Sequence, residues 1–470
     1  MESSTMSATT ALELDTGFQG RQFRPGDDGY DDARAVYNAM IDKRPALIVR
    51  CSGVADVIDA VNLARERGLP LAVRSGGHSV AGKGVCDDGI LIDLSGMKGV
   101  HVDRKARVAR ANAGVLWGEF DRETQLFGLA TPGGRMTTTG VGGFTLGGGY
   151  GWLSPKHGLA CDNLISAQVV TAEGRVVTAG EDENADLLWG LRGGGGNFGV
   201  VTSYEFDLHE LGPIVMGGMV VHTIEGAGDV ARAWRDWVES APEAVCTALG
   251  ILLAPPEPFV PPEVQGTPVL GILAMYAGDP DEGEEVLRPL KKEIGPPAVD
   301  LLDRIPYTAF QAIVDPFSPK GWLNYHRGEH LAGLPDEAID SYIEHGARVT
   351  SPMSQAIIFR HGGAIGRVPD DATAASHRDA PYMWHPIACW SDPADTDSTI
   401  AWVRESSAAM QPFMTGGVYL NFEQDEGEEH VRAGYSPDKY ARLAALKDEY
   451  DPNNLFRINQ NIAPSPASAQ

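Results

Sequence analysis

Three stretches of this chain combine glycine with polar side chains at a density that close contact with a ligand would explain. The first is Arg74-Ser75-Gly76-Gly77-His78-Ser79, directly after an apolar run. Two glycines and two hydroxyls at a strand end expose several backbone N–H groups to one anion, and the His78 imidazole then stands beside whatever carries that anion. The second runs from Thr137-Thr138-Thr139-Gly140-Val141-Gly142-Gly143 to Gly147-Gly148-Gly149-Tyr150-Gly151, with nine glycines in residues 133–151. Each glycine in regular structure loses roughly 0.5–1 kcal/mol relative to alanine. That loss is tolerated where backbone must press against a flat or charged group. Interleaved Val141, Phe144, Leu146, Tyr150 and Trp152 argue against a solvent-exposed linker. The third stretch, residues 193–199, satisfies G-x-G-x-x-G. A helix precedes it and a strand follows, the reverse of the order that brings a dinucleotide phosphate to a helix N-terminus, so NAD(P) binding there is rejected. No G-x-x-x-x-G-K-[ST] occurs, which excludes a P-loop.

The elements that must position these loops are legible from apolar spacing. Residues 44–50 predict a strand. Residues 54–67 place Val57, Ile58, Val61 and Ala64 on one side of a helix that Gly68 ends, and 71–73 resume a strand. This β-α-β unit delivers the first loop. A strand at 90–94, a hairpin of 100–102 with 107–111, and a helix at 116–127 follow. Then come a second hairpin of 165–171 with 175–178, a short helix at 184–192, and a strand at 200–208. Beyond Pro213, strands at 215–222, 247–253, 269–276 and 356–359 are separated by amphipathic helices at 230–239, 281–292, 337–345 and 398–410. That pattern describes an α+β unit with an antiparallel sheet. The Pro-rich stretch 255–268 predicts a loop, and a helix at 437–450 precedes an irregular end. The expected organisation is a ligand-binding domain at 17–212, a second domain at 213–430, a segment at 431–465 that returns to the first, and disordered tails at 1–16 and 466–470.

Composition narrows the partners. A formal net charge of -26 over 470 residues repels phosphate backbones and anionic membranes, so neither nucleic acid nor membrane is expected as a partner. No apolar run reaches the ~18–20 residues of a membrane span. The five cysteines have no metal-binding spacing, so no metal site is expected, and their sparseness fits a reducing compartment. The first twenty residues lack the basic start and apolar core of a secretory leader, which reads as a cytoplasmic protein.

Together these motifs resemble the PCMH-type FAD-binding fold of the vanillyl-alcohol oxidase superfamily, and more narrowly the berberine-bridge-enzyme-like oxidases. The R-S-G-G-H-S turn, G-V-G-G-F-T-L-G-G-G-Y-G, H-G-L-A-C-D-N, G-N-F-G-V-V-T and the final Y-D-P-N-N-L-F-R-I-N-Q-N-I stand in that family's order, from about residue 44 to the C-terminus. The resemblance implies an α+β chain: an FAD-binding domain of two α/β subdomains, and a substrate domain whose antiparallel sheet, flanked by helices, covers the flavin. It implies an oxidoreductase with FAD bonded covalently to His78. Arg74, Ser75, Gly76, Gly77, Ser79 and Gly82 would line the flavin site, with Thr138, Thr139, Gly140, Gly142 and Gly143. Gly149, Tyr150, Gly199 and Val200 would join them, and Asn459 and Asn461 would close it. Many relatives carry a second, cysteinyl link; here that position is Met136, so a single link is expected. Thr139 falls where the family controls oxygen access, and its small side chain favours O2 as oxidant.

The same resemblance puts substrate chemistry on three strands. Tyr325 and Arg327 alternate onto one face, as do Gln355, Ile357, Phe359 and His361. Val418-Tyr419-Leu420-Asn421-Phe422 matches the family's Y-x-N-Y. Hydride transfer requires a base for the substrate's O–H or N–H proton. By the resemblance, many relatives use the second tyrosine of that motif as base, which is Phe422 here. Tyr419, Tyr325 and His361 are the substitutes, with Asn421 beside them and Arg327 placed to lower a tyrosine's pKa. His326, His330, His377 and His385 read as packing residues. In one bacterial member that performs an oxygenating rearrangement, the active-site glutamate corresponds to Ile357 and a pocket tyrosine to Gly250, so that reaction does not transfer. The leading expectation is an oxidase taking two electrons from a small organic alcohol, amine or secondary metabolite and giving H2O2. The alternatives are a flavin-dependent oxygenase or oxidative cyclase, and a flavin-binding protein without catalysis.

Overall fold

The computed structural model describes residues 12, 14 and 17–465. Leu47–Arg50, Ile90–Asp93 and Leu71–Arg74 pair in parallel, with Arg21–Phe23 antiparallel at one edge. Leu-Ile-Val and Ile-Leu-Ile are unbroken apolar runs because both faces of these strands are covered. Helix Val54–Arg67 is the crossover, and Gly68 ends it in a left-handed conformation with φ 64°. A second sheet has five antiparallel strands in the order Val100–Asp103, Val108–Asn112, Val200–Asp207, Leu164–Val170, Val176–Ala179. Both expected hairpins are in it. One apolar core joins the two sheets, with Val57, Val61 and Ala64 of the crossover helix packed among strand residues such as Leu47 and Val169. Leu443, Phe456 and Ile462 from the end of the chain enter the same core.

The second half is a ten-stranded antiparallel sheet. Its main path is Val299–Asp300, Ile214–Thr223, Pro268–Tyr276, Val245–Leu253, Gln355–Arg360, Tyr382–Trp390, Glu329–Leu331, Met414–Val418. Asp303–Pro306 pairs with Ile214–Thr223 and Leu323–His326 with Tyr382–Trp390. Helices Ala227–Ser240, Pro280–Lys292, Asp336–Gly346 and Thr396–Met410 cover one face, where Trp234, Leu287, Ile339 and Trp402 form a second core with the strands. The other face is turned toward the first half of the chain and lines a cavity.

Two elements depart from expectation. Tyr382–Trp390 is a strand with all nine residues buried. Its lack of alternation and its Pro386 hid it, since proline is disfavoured inside a sheet. Pro386 is tolerated because the neighbouring strand is broken at Arg327 and Gly328, between Leu323–His326 and Glu329–Leu331, where the Pro386 carbonyl accepts from Arg327 N at 3.3 Å. Inside the second glycine stretch, Val141–Leu146 forms a short helix that the apolar spacing did not announce. The expected disordered tails lie outside the described residues except for Leu12 and Leu14, which pack against the first core. Among the described residues no helix is long and apolar enough to cross a membrane.

Candidate active site

A cavity of about 400 Å³ lies between the glycine loops and the uncovered face of the large sheet. Residues 74–79 line it from the end of strand Leu71–Arg74, together with Thr139, Gly140, Gly142 and Gly143. The two loops meet backbone to backbone: a Cβ on Gly76 would lie 2.3 Å from Gly140 N. Ser75 Oγ donates to Ala113 O at 2.6 Å. Arg74 fixes its own loop, donating to Ala33 O at 2.5 Å and Ala35 O at 3.2 Å and pairing with buried Asp93 at 3.0 Å. The third loop adds Gly199 and Val200, and the terminal segment adds Asn459. Asn459 Nδ2 donates to Gly196 O at 3.1 Å, and buried Asn197 Nδ2 to Gln460 O at 3.2 Å, so loop and terminus are tied together.

His78 is half-buried on the cavity wall. Its ring stacks on Tyr37 with centroids 4.4 Å apart, its Nε2 is 2.8 Å from Thr138 Oγ1 and its Nδ1 3.5 Å from Thr139 Oγ1. Burial holds the imidazole down to about 4, so it is neutral at physiological pH. Thr138 thus reaches the site through His78. Gly82, Gly149 and Asn461, also expected at the cofactor, do not line the cavity. Gly82, at φ 69°, turns the chain after Ser79, and Gly149 N donates to Tyr419 at 3.0 Å.

The structure separates the five residues that sequence matching brought together as catalytic. Asn421 is on the cavity wall. Tyr419 lies beneath it as a clamp: its hydroxyl oxygen accepts from Gly149 N and Tyr150 N, each at 3.0 Å, and from Asn421 Nδ2 at 3.1 Å. Burial raises its pKa, the opposite of what a base needs. Tyr325 and Arg327 do share a face, but Tyr325 belongs to the helix-covered core and His326 lines the cavity instead. Tyr325 donates to Glu426 at 2.6 Å and Arg327 pairs with Glu329 at 3.1 Å, so both are engaged away from the cavity. His361 follows the end of strand Gln355–Arg360 and packs behind Tyr150, at 5.4 Å between centroids, with Nδ1 3.0 Å from Ala380 O. Alternation fixed which residues share a face, but not which face meets the cavity or where the strand stops.

Three cavity residues escaped the sequence reading. His385 and His326 face each other across 5.3 Å. His385 Nδ1 is 2.7 Å from Arg327 O; a carbonyl only accepts, so the ring proton sits on Nδ1 and Nε2 keeps its lone pair. Burial, then the neighbouring His326, holds His385 well below 6.5. Arg135 lies inside the second glycine stretch, where the sequence signal is in the backbone and nothing marks the side chain. Its guanidinium lies 3.6 Å from the Phe359 ring centroid.

The comparisons with known proteins agree with this geometry. Residues 45–180 match the FAD binding domain family and residues 418–463 the berberine and berberine-like family. The chain is 33% identical to (R)-6-hydroxynicotine oxidase of Paenarthrobacter nicotinovorans over 98% of its own length and 99% of the relative's. An FAD-linked oxidoreductase of Dictyostelium discoideum is 30% identical, with 99% of each chain covered. The chain belongs to the berberine-like FAD-linked oxidoreductases. A crystal structure of 6-hydroxy-D-nicotine oxidase from Arthrobacter nicotinovorans superposes with a TM-score of 0.87 at 29% identity, covering 97% of this chain and 100% of that one. The PCMH-type α+β fold and an FAD-dependent oxidoreductase activity follow.

A berberine-like oxidoreductase must accommodate a bulky planar cofactor with polar edges, and the cavity fits it. At Gly143, Gly196 and Gly250, all on the wall, a Cβ would meet no atom within 4 Å, so these glycines front open space. Asn459 Oδ1 is buried there without a hydrogen-bond partner. Met136 is also on the wall, where its thioether has no S–H to lose to a cysteinyl link.

Proposed function

We propose that this chain is an oxidase that holds FAD through one covalent bond, from His78, and moves two electrons from a small organic molecule to O2, with His385 taking the substrate's proton. When bound, FAD supplies the acceptor for a hydride. The observation that carries the reading is His385: a neutral imidazole on the cavity wall, its tautomer set by the Arg327 carbonyl at 2.7 Å, with an unprotonated Nε2. It stacks on Phe422, the residue at the family's tyrosine position, at 3.9 Å between centroids. A base is thus available where the phenol is missing.

His78 supports the covalent link. Its Nε2 is engaged by Thr138 Oγ1 at 2.8 Å, its Nδ1 has only the longer 3.5 Å contact to Thr139 Oγ1, and burial keeps the ring neutral, with a lone pair to offer. Asn421 holds the floor: its Nδ2 donates to Phe144 O at 3.0 Å and to Tyr419 at 3.1 Å. Thr139, beside His78, leaves room for O2. Residues 17–212 with 431–465 would hold the cofactor and 213–430 the substrate, an alcohol, amine or secondary metabolite. The relative named for 6-hydroxynicotine supports a small organic substrate. A cytoplasmic location belongs to the same reading, supported by five free, buried cysteines.

The test is direct. Acid-precipitated protein should stay yellow, His78→Ala should release the colour, and substrate oxidation should yield H2O2. Colour lost from wild type on precipitation would remove the covalent link, and oxygen from 18O2 incorporated into product would replace the oxidase with an oxygenase.

A further inference from the structure

Arg135 stands in the cavity wall with nothing to bond. Its Cζ lies 3.6 Å from the ring centroid of Phe359, 4.7 Å from Tyr150, 5.3 Å from Trp152 and 5.6 Å from Phe422. Among the described residues neither terminal nitrogen has a hydrogen-bond partner, and both are shielded from water. No carboxylate acts on it. The ionisable groups that do are Tyr150, Cys246 and Tyr419, which burial lifts so that none is an anion at neutral pH, and His385, which burial keeps neutral. The other cations on the wall are taken, Arg74 by Asp93 at 3.0 Å and Lys83 by Asp425 at 2.6 Å. The acid on the wall, Glu423, accepts from Gly328 N at 2.7 Å and lies 3.7 Å from Arg327.

A guanidinium stays protonated, and its five N–H donors lie in its own plane. Aromatic faces attract the charge but offer those donors no acceptor. A buried cation without acceptors is unfavourable, and its natural complement is a planar oxyanion held by two parallel hydrogen bonds. Arg135 lines the cavity, so a group bound there is placed to meet those nitrogens once the flexible arginine stem turns toward it. On the large sheet Met219, Leu273, Ile357 and Ile387 give the same space an apolar patch, beside the polar His326, Gln355 and His385.

We propose that Arg135 anchors a substrate carboxylate, so that the substrate class is organic acids with an apolar body, the carboxylate at Arg135 and the body against Ile357 and its neighbours on the large sheet. This deepens the oxidase reading and rests on it for taking the cavity as the substrate site.

The test titrates flavin-loaded protein with benzoate and with benzamide, its uncharged counterpart, reading binding by both calorimetry and the flavin difference spectrum. Wild type should bind benzoate about tenfold or more tightly than benzamide, the size expected of a charge-assisted pair. Arg135→Gln should abolish that preference while leaving benzamide affinity unchanged, and Arg135→Lys should fall between. Equal affinity of wild type for the two compounds would overturn the proposal without any variant. So would an Arg135→Gln protein that keeps its benzoate affinity and shows only an altered flavin spectrum, because the guanidinium would then serve the ring. A colourless protein that still prefers benzoate by calorimetry would sink the flavin reading and leave the anion anchor standing.

Discussion

The imidazole of His385 lies flat against the ring of Phe422, with centroids 3.9 Å apart and planes 18° from parallel. Two accidents of backbone make this possible. The strand beside Tyr382–Trp390 is broken at Arg327, which frees a carbonyl to fix His385 Nδ1. The turn Leu420–Phe422 brings a ring without a hydroxyl over the other side. The position where the family resemblance implies a phenol base here carries the support for the proposed imidazole base. His385→Gln, which keeps a polar side chain of similar reach, should therefore lower kcat by about 10²–10⁴-fold. Flavin content should not change, since the proposed attachment at His78 is elsewhere. Unchanged kcat at full flavin loading would remove His385 as the base.

The pH profile carries the same claim independently. An imidazole base in an ordinary setting switches off near pH 6.5. Burial, reinforced by His326, disfavours the charged form of His385 and moves its titration well below that value. Its neutral, proton-accepting form is then present at pH 6.5 and lost only at much lower pH. We expect kcat/KM to show no acid limb around pH 6.5, with the fall displaced to more acidic solution. A limb centred at 6.5 that disappears in His385→Gln would show a base titrating in a wet environment, contrary to this structure.

Tyr419 makes the complementary prediction. Its oxygen accepts from two backbone amides of the second glycine stretch, Gly149 N and Tyr150 N. Tyr419→Phe strands both donors in a buried place, which should lower stability by roughly 1–3 kcal/mol per group left unpaired. The effect should appear in urea unfolding and in flavin retention, while the pH dependence of kcat/KM keeps its shape. A profile that loses its basic or acidic limb in Tyr419→Phe would restore the tyrosine as the titrating group.

What could be read from the chain divides along physical lines. The first half was legible because its elements are local. Val54–Arg67 carries a clear helical stripe, and each hairpin pairs strands that are neighbours in sequence. The cradle was legible because glycine density is an unusual signal. The substrate side was not, because its information is non-local. His385 became a candidate only when Tyr382–Trp390 proved to be a central strand, and the run Tyr-Met-Trp-His-Pro-Ile-Ala-Cys-Trp has no alternation to announce one. On that strand Trp384 faces the helices and His385 the cavity, a parity set by pairing with Gln355–Arg360. Arg135 was invisible for a different reason. Nothing in sequence tells that Phe359 and Phe422, more than two hundred residues away, would enclose it.

Gly143 offers a clean test of where the cofactor lies. It sits within helix Val141–Leu146, and a Cβ there meets no protein atom within 4 Å. Alanine should therefore favour the helix by up to about 1 kcal/mol in protein without flavin. The added methyl would project toward the cavity. Gly143→Ala should express with unchanged or higher thermal stability in the flavin-free state and with reduced flavin content. Full flavin loading would mean that the ring or its tail keeps clear of this turn.

Acid stability tests the buried histidines that the reaction does not use. His330 packs 5.4 Å from His361 and 5.3 Å from His377, ring to ring. Burial, with mutual repulsion added, holds His330 well below 6.5; burial likewise holds His361 at about 4. Both are neutral in the folded chain, whereas in the unfolded chain they gain protons as the pH falls through 6.5. Below that pH the unfolded state binds more protons, so stability is full above 6.5 and declines toward acid by up to about 1.4 kcal/mol per pH unit for each group. For His361 the decline should continue to near pH 4. His361→Phe loses the Nδ1 contact to Ala380 O, an expected cost of about 1 kcal/mol at pH 7.5. It should also lose one such increment of slope, so that its deficit relative to wild type narrows or reverses at pH 5. Urea unfolding of both proteins at the two pH values measures this. A deficit that stays constant between them would mean that His361 is protonated in the folded protein, and that the cluster behind Tyr150 is wetter than its packing indicates.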